Sequence, residues 1–417
     1  MRAPWLVPPA LIALAAPASA QSLDTVIAEA LAHAPSLAAA QARADSARAG
    51  ISGARAARAP SAALDGQIGV GRIDPQGFFG LTADNVTPRS ARATVELPLF
   101  TGGRIGAAIR QATSGAEAAD QQMRMAMLEL RVQVVQAYAG AVAARQLIAR
   151  YETLNRALDE ALRQARLKFQ AGDGTSTETA QAEARRAEAE AGLAGARGQL
   201  AGAHAQLAAL AGHPVTIDAD LPATPALPPS GDAAVALAMK DNPMLLAAAR
   251  QIDAARARLD GVRAERLPTV GAYAEAASVR DQFFPGYKAD SASVGLRASW
   301  TIFSGGRISA QTRGAAADLR AAEADAANAR LIAEQQAIVA FDDVATARAV
   351  LAASEARLTA SEAALRGTTL EVKAGVKPLL AQLDAEREAI GAQAARAQAN
   401  GQLLVAAYRL RAIAGMD

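Results

Sequence analysis

Three histidines, His33, His204 and His213, are the only imidazoles in 417 residues, and cysteine is absent. Without cysteine there is no disulfide framework, no thiolate-bound zinc and no thiol nucleophile. The histidines are read as lying far apart, the last beside a proline-rich stretch, so the sequence nominates neither a metal cluster nor a Ser-His-Asp arrangement. Two glycine pairs, Gly102-Gly103 and Gly305-Gly306, lack the Gly-Lys-Ser/Thr ending that lets a glycine loop hold phosphate. The expectation is therefore a protein that is not an enzyme and takes no cofactor or metal. A formal charge of +2, from 43 basic and 41 acidic residues, gives no footprint for nucleic acid.

If side-chain chemistry is sparse, the elements must carry the function. Hydrophobic residues make up 51% of the chain but aromatics only 4%, which suits long, closely packed, alanine-rich helices better than an ordinary globular core. Residues 1–20 have the three parts of a secretory signal peptide: Arg2, an apolar stretch from Trp5 to Ala16, and Ala18-Ser19-Ala20 as an A-x-A cleavage site. The mature chain is expected to begin at Gln21, and a lipid anchor is not expected because no cysteine stands there. No downstream apolar run approaches the ~20 residues of a spanning helix, so a membrane crossing must use strands.

The chain reads as a duplication. At an offset of 208, Pro35, Arg48, Arg55, Arg58 and Pro60 fall on Pro243, Arg256, Arg263, Arg266 and Pro268. At an offset of 203, Phe100-Thr101-Gly102-Gly103-Arg104-Ile105 falls on Phe303-Ser304-Gly305-Gly306-Arg307-Ile308. Repeat 1 covers 21–211, a Pro-rich connector 212–230, and repeat 2 covers 231–417. The first repeat is predicted to hold a helix over 22–59, strands near 61–74 and 89–100, a long helix 104–170 and a return helix 175–211. The second is predicted to hold a helix over 231–267, strands near 268–281 and 290–302, and a helical hairpin of 307–374 and 378–414. A seam from Leu130 through Val134, Ala137, Ala141, Ala144, Ile148, Tyr151, Asn155, Leu158, Leu162 and Ala165 to Phe169 repeats near 3.5, as in a coiled coil. The long helix outruns its return helix, and the helix over 22–59 has about the length needed to lie end to end with that return helix along it.

Four strands per chain, each pair a hairpin with one apolar and one polar face, leave open edges. A bilayer tolerates strands only in a closed barrel, so several chains must contribute. The signal peptide, the duplicated unit, the signatures Leu97-Pro98-Leu99-Phe100-Thr101-Gly102-Gly103 and Trp300-Thr301-Ile302-Phe303-Ser304-Gly305-Gly306, and the Ala-Gly turns at 172 and 375 resemble the TolC family of outer-membrane efflux proteins. That resemblance implies an α+β membrane protein: a homotrimeric 12-stranded β-barrel, four strands per chain, continued by a long α-helical periplasmic barrel. It implies the outer-membrane channel of a tripartite efflux or type I secretion system, with a periplasmic adaptor, an inner-membrane pump and outer-membrane lipid as partners. The other readings are a periplasmic adaptor, which would show a single hairpin flanked by lipoyl-like segments, and a structural coiled coil, which would lack amphipathic strands.

The resemblance also implies roles for residues. A constriction latched by a basic residue maps onto Asp384, Lys377 and, in the first copy, Glu178, while the second acidic position falls on the uncharged Ala381. Without the resemblance, Asp384 and Glu178 read as solvated helix-surface charges. Gly172, Gly174 and Gly375 are expected to permit the hairpin reversals where an adaptor would dock, with Pro378 in the first turn of the last helix. Phe100, Gly102, Gly103, Phe303, Gly305 and Gly306 mark the strand-to-helix corners. Phe78, Phe79, Phe283 and Phe284 fall in strand-connecting loops, as boundary aromatics, a plug, or ordinary loop packing.

Overall fold

The computed structural model describes residues 21–74 and 82–416. The expected signal peptide, Phe78 and Phe79 lie outside the described residues. In chain order the elements are α1 (Leu23–His33), α2 (Pro35–Ala56), β1 (Ser61–Ile68), β2 (Gly71–Ile73), β3 (Asp84–Val86), β4 (Arg89–Phe100), α3 (Arg104–Gln170), α4 (Ser176–Ala211), α5 (Gly231–Asp241), α6 (Pro243–Ala264), β5 (Thr269–Arg280), β6 (Lys288–Ser299), α7 (Arg307–Lys373) and α8 (Leu379–Ile413). Helices of 11, 22 and 67 residues recur in each half. With no proline inside them, the two 67-residue helices keep their backbone ladders unbroken.

Several boundaries differ from the sequence reading. The single helix expected over 22–59 is broken at Ala34, whose extended backbone (φ −64°, ψ 122°) is what a residue before proline prefers. The helix expected over 231–267 is likewise two, because Asn242 accepts the Met244 N–H at 2.8 Å and caps a helix that starts at Pro243. The strand expected over 61–74 ends at Ile68; Gly69 donates to Pro88 O at 2.9 Å, and β2 pairs with β3 in a separate two-stranded ribbon beyond the four-strand count. At the other end, the strand expected over 290–302 stops at Ser299, and Trp300 Nε1–H donates to Arg266 O at 3.0 Å. Pro378 caps α8 from outside its first turn and supplies no side-chain bond.

The chain divides into two compact units. One comprises Ala39–Met125 and Asp241–Ala333 and contains the four-stranded antiparallel sheet, in the order β1-β4-β5-β6. Here Arg48 of α2 pairs with Asp120 of α3 at 2.7 Å, and Arg258 of α6 with Asp318 of α7 at 3.0 Å. Exposed pairs of this kind fix helix register more than they stabilise.

The other unit comprises the described part of Met1–Ala38 with Ala126–Lys240 and Glu334–Asp417. Its core joins Leu23, Val26 and Ile27 of α1 to Val134, Val135 and Tyr138 of α3, Leu207 of α4 and Leu404 of α8. The Pro-rich connector packs on this core through the buried Val215 and Ile217. Tyr138 holds it there: its buried hydroxyl donates to Gln21 O and accepts from the Asp218 N–H, both at 3.0 Å. Burial raises the Tyr138 pKa, so the hydroxyl keeps its proton for that bond. Along α3 the seam is buried at Val134, Ala137, Ala141, Ala144, Leu158 and Leu162, but Phe169 is 51% exposed, so the apolar stripe fades before the helix ends.

Candidate functional site

Alternation along the strands gives the sheet two unlike faces. Leu64 and Ile68 of β1, Val95 of β4, and Val294 and Leu296 of β6 share one face and are all exposed, Val294 at 83% and Leu64 at 80%. Large apolar side chains in water cost free energy in proportion to their area, so a face of this kind needs an apolar surrounding. Across the sheet, Arg92, Thr94 and Glu96 share the opposite face with Tyr273 and Glu275. There Arg297 reaches over β5 to Glu96 at 2.9 Å, with its guanidinium 4.7 Å from the centre of the Tyr273 ring. Arg92 lies 3.6 Å from Glu275. The arrangement is apolar on one side and charged on the other, as in the wall of a water-filled barrel.

Each strand enters its long helix through a double-glycine corner. Gly102 and Gly103 have φ of +61° and +90°, and Gly305 and Gly306 have +59° and +84°, conformations that L side chains rarely adopt. The corner aromatics Phe100 and Phe303 are exposed. At the far end of the sheet Phe283 and Phe284 each set an edge against the Tyr287 ring, with centroids 5.1 Å apart.

The hairpin tips also share one backbone device. Gly172 and Gly375 lie at φ +84° and +76°, and the chain closes with Asp173 N–H to Lys168 O and Val376 N–H to Glu371 O, both 2.9 Å. Gly174 does not fit the expectation of a positive φ; it is needed for space, since a Cβ there would meet Lys168 Cβ and Phe169 N at 3.1 Å. The expected gate residues have local partners. Glu178 completes a capping box with Thr175: its N–H donates to Thr175 Oγ1 at 3.2 Å, and its carboxylate accepts the Thr175 N–H at 3.3 Å. Lys377 pairs with Glu371 of its own hairpin at 2.7 Å. Asp384 Oδ1 lies 3.0 Å from Arg185 Nη2 but makes no hydrogen bond, so the contact is Coulombic alone.

Sequence reasoning missed the pairing that surrounds Asp384. Arg185 also reaches Glu188 at 3.2 Å, and Glu188 accepts from Arg387 at 3.1 Å, so α4 and α8 are joined by alternating charges. The Arg387 guanidinium, then Arg185, holds the Glu188 carboxyl below its usual range. Opposite charges at 185 and 188, and at 384 and 387, were the available signal. The histidine expectation also needs correcting, because His33 and His213 meet with ring centroids 6.4 Å apart. Gly212, at φ +81°, ends α4 and turns the chain back to α1, where Glu29 Oε2 lies 3.3 Å from His213 Nε2.

Residues 26–213 and 234–416 match the family model described as outer membrane efflux protein. The chain belongs to that family. Its two matched stretches flank the connector, one on each repeat. Among relatives, the alkaline protease secretion protein AprF of Pseudomonas aeruginosa is 30% identical over 217 residues, 49% of this chain and 44% of that protein. The outer membrane efflux protein BepC of Brucella suis is 28% identical over 282 residues, 67% of this chain and 61% of that one. The chain spans about half the length of the curated relatives it matches. Family likeness extends further in three dimensions. The solved outer-membrane channel OprN is 26% identical with a TM-score of 0.77, covering 95% of this chain and 90% of that one. The CmeC outer membrane channel of Campylobacter jejuni, at 16% identity, shares the fold with a TM-score of 0.81, covering 94% of this chain and 85% of that one.

Proposed function

We propose that this protein is the outer-membrane channel of a tripartite efflux or type I secretion system, passing substrates passively from an inner-membrane pump. The observation that carries the reading is the sheet: open at β1 and β6, apolar and exposed on one face, charged on the other. Three copies joined edge to edge would pair every open strand in one twelve-stranded barrel, which a bilayer requires. The long helices would then line a periplasmic passage, with a periplasmic adaptor docking at the Gly172, Gly174 and Gly375 tips. AprF is named for protease secretion and BepC for efflux, so both classes of system support the reading.

Asp384, Lys377 and Glu178 are proposed to act at the periplasmic constriction. Asp384 with Arg185 is the closest candidate for a link that holds two return helices together. Fractionation and a heat-modifiability gel test the main reading: an SDS-resistant outer-membrane trimer supports it, and a soluble or inner-membrane monomer sinks it. Single-channel recordings of Asp384→Asn test the constriction, where unchanged ion selectivity and unchanged block by multivalent cations would remove Asp384 from it.

A further inference from the structure

At the end of the sheet away from the helices, the strand registers bring three basic residues into one row. Arg89 of β4 pairs with Arg280 of β5, which pairs with Lys288 of β6. Alternation puts all three on the apolar face, above Val95, Ala274 and Val294. This is an unexpected place for charge, because the polar face already carries Arg92, Glu96, Glu275 and Arg297.

The row is not neutralised from within. Arg280 pairs with Asp290 on the same face at 2.9 Å and also donates to Val279 O and Ala289 O, so it is held flat against the strands. Asp281 accepts from the Gly286 N–H at 2.8 Å. Among the described residues, Arg89 and Lys288 are exposed and have no ion-pair partner. With Arg280 paired to Asp290 and the Asp281 carboxylate turned to the Gly286 N–H, the two cations left unpaired in the row are Arg89 and Lys288.

The height of the row identifies the environment. From Val270 to Arg280 the strand rises about 33 Å along its axis. Tilted as barrel strands are, it covers about 25 Å, the height of the apolar band of an outer-membrane barrel. Phe100 and Trp300, both exposed, sit at the opposite end of that band, where an aromatic girdle belongs. Arg89, Arg280 and Lys288 therefore stand at the level of the outward leaflet's headgroups. Below them, past Ala91, Ser278 and Asp290, Ala93, Ala274, Ala276 and Ala292 floor an open concavity of about 410 Å³ between Val95 and Val294, which Glu275 and Ser293 also line. Small side chains there leave a trough for a hydrocarbon chain.

We propose that Arg89, Arg280 and Lys288 bind the phosphate of an anionic lipid in the outward leaflet, with an acyl chain of the same molecule in the alanine-floored trough. The inference rests on the outer-membrane reading above, and its ligand is a phosphorylated lipid. Lysine and arginine near a surface each contribute enough attraction to anionic lipid that removing two weakens binding about thirty-fold. The test uses full-length protein in neutral detergent, titrated with fluorescent diphosphorylated lipid A and read by anisotropy. Arg89→Gln with Lys288→Gln is expected to weaken binding about thirty-fold, and Lys288→Gln alone about fivefold. Ala276→Phe, which fills the trough, is expected to weaken it without altering charge, and inorganic phosphate should not compete. Equal binding by wild type and the double variant overturns the proposal, as does displacement by inorganic phosphate as effective as by unlabelled lipid A. Fractionation of the same cells separates the two claims: protein absent from the outer membrane removes the channel reading, whereas outer-membrane protein with unaltered lipid binding removes only this one.

Discussion

Gly102 and Gly305 occupy the same place in the two repeats and have the same backbone, with φ of +61° and +59°, yet their surroundings differ. A Cβ at Gly102 would lie 2.6 Å from Leu267 Cβ and 3.0 Å from Ala264 O, whereas nothing lies within 4 Å of a Cβ at Gly305. Alanine at either position bears the left-handed strain of about 1–2 kcal/mol. At Gly102 it also meets a backbone oxygen and the root of a side chain, neither of which can swing aside, adding about 1–3 kcal/mol. The expected cost is about 3 kcal/mol for Gly102→Ala and about 1 kcal/mol for Gly305→Ala. For a cooperative unit of this size those losses lower the midpoint by about 6–12 °C and about 2–4 °C. Thermal unfolding of the purified protein in detergent, followed by the loss of sheet and helix signal in circular dichroism, reads both. Equal midpoints for the two variants would refute the reasoning, since φ alone would then account for the glycines.

Other positions respond to different physics. Gly192→Ala would place its Cβ in collision with the Tyr151 ring, so the ring must move and stability should fall by about 1–2 kcal/mol. In a Tyr151→Ala background the same change should become stabilising through helix propensity, and a double-mutant cycle that lacks this reversal counts against the contact. Glu386 lies on α8 between Leu383 and Ile390, and burial raises its carboxyl pKa. A raised folded pKa means that its ionised form opposes folding once pH rises above the unfolded carboxylate pKa; Glu386→Gln should therefore raise the melting midpoint at pH values above that range and change it little below. Thr175→Ala removes the side-chain half of the α4 capping box and should cost about 1 kcal/mol, seen as faster hydrogen exchange at the Glu178 amide with the α8 start unaffected.

The long helices were legible because they depend on local signals: no proline inside them, an apolar repeat near 3.5, and glycines at both tips. Strand ends were less so, since the alternation of Trp300 and Ile302 continues past Ser299, where the ladder to β5 stops. The break at Ala34 was legible in Pro35, since the residue before a proline is biased out of the helical region and a proline suits a helix start, and the expected single helix over 22–59 passed over that signal. The two sheet faces could be read residue by residue. The row of Arg89, Arg280 and Lys288 could not, because it appears only when two strand registers, β4 to β5 and β5 to β6, are known. Likewise, His33 and His213 are brought together by the turn at Gly212, and no periodicity encodes that distance.

The charge network around Asp384 bears on the constriction proposed for this end of the hairpins. Arg185, Glu188, Asp384 and Arg387 alternate in sign across α4 and α8 and sum to zero. All four are exposed enough for water to screen them, so each contact is weak and easily exchanged, and what the set supplies is register. Asp384 is not a bare carboxylate, because its nearest cation is 3.0 Å away on the neighbouring return helix. If that pair parts, the guanidinium and the carboxylate become separate charges, and the field at the tip changes without any change in net charge. A set of balanced pairs thus differs in kind from a ring of bare carboxylates: its field depends on whether α4 and α8 are together.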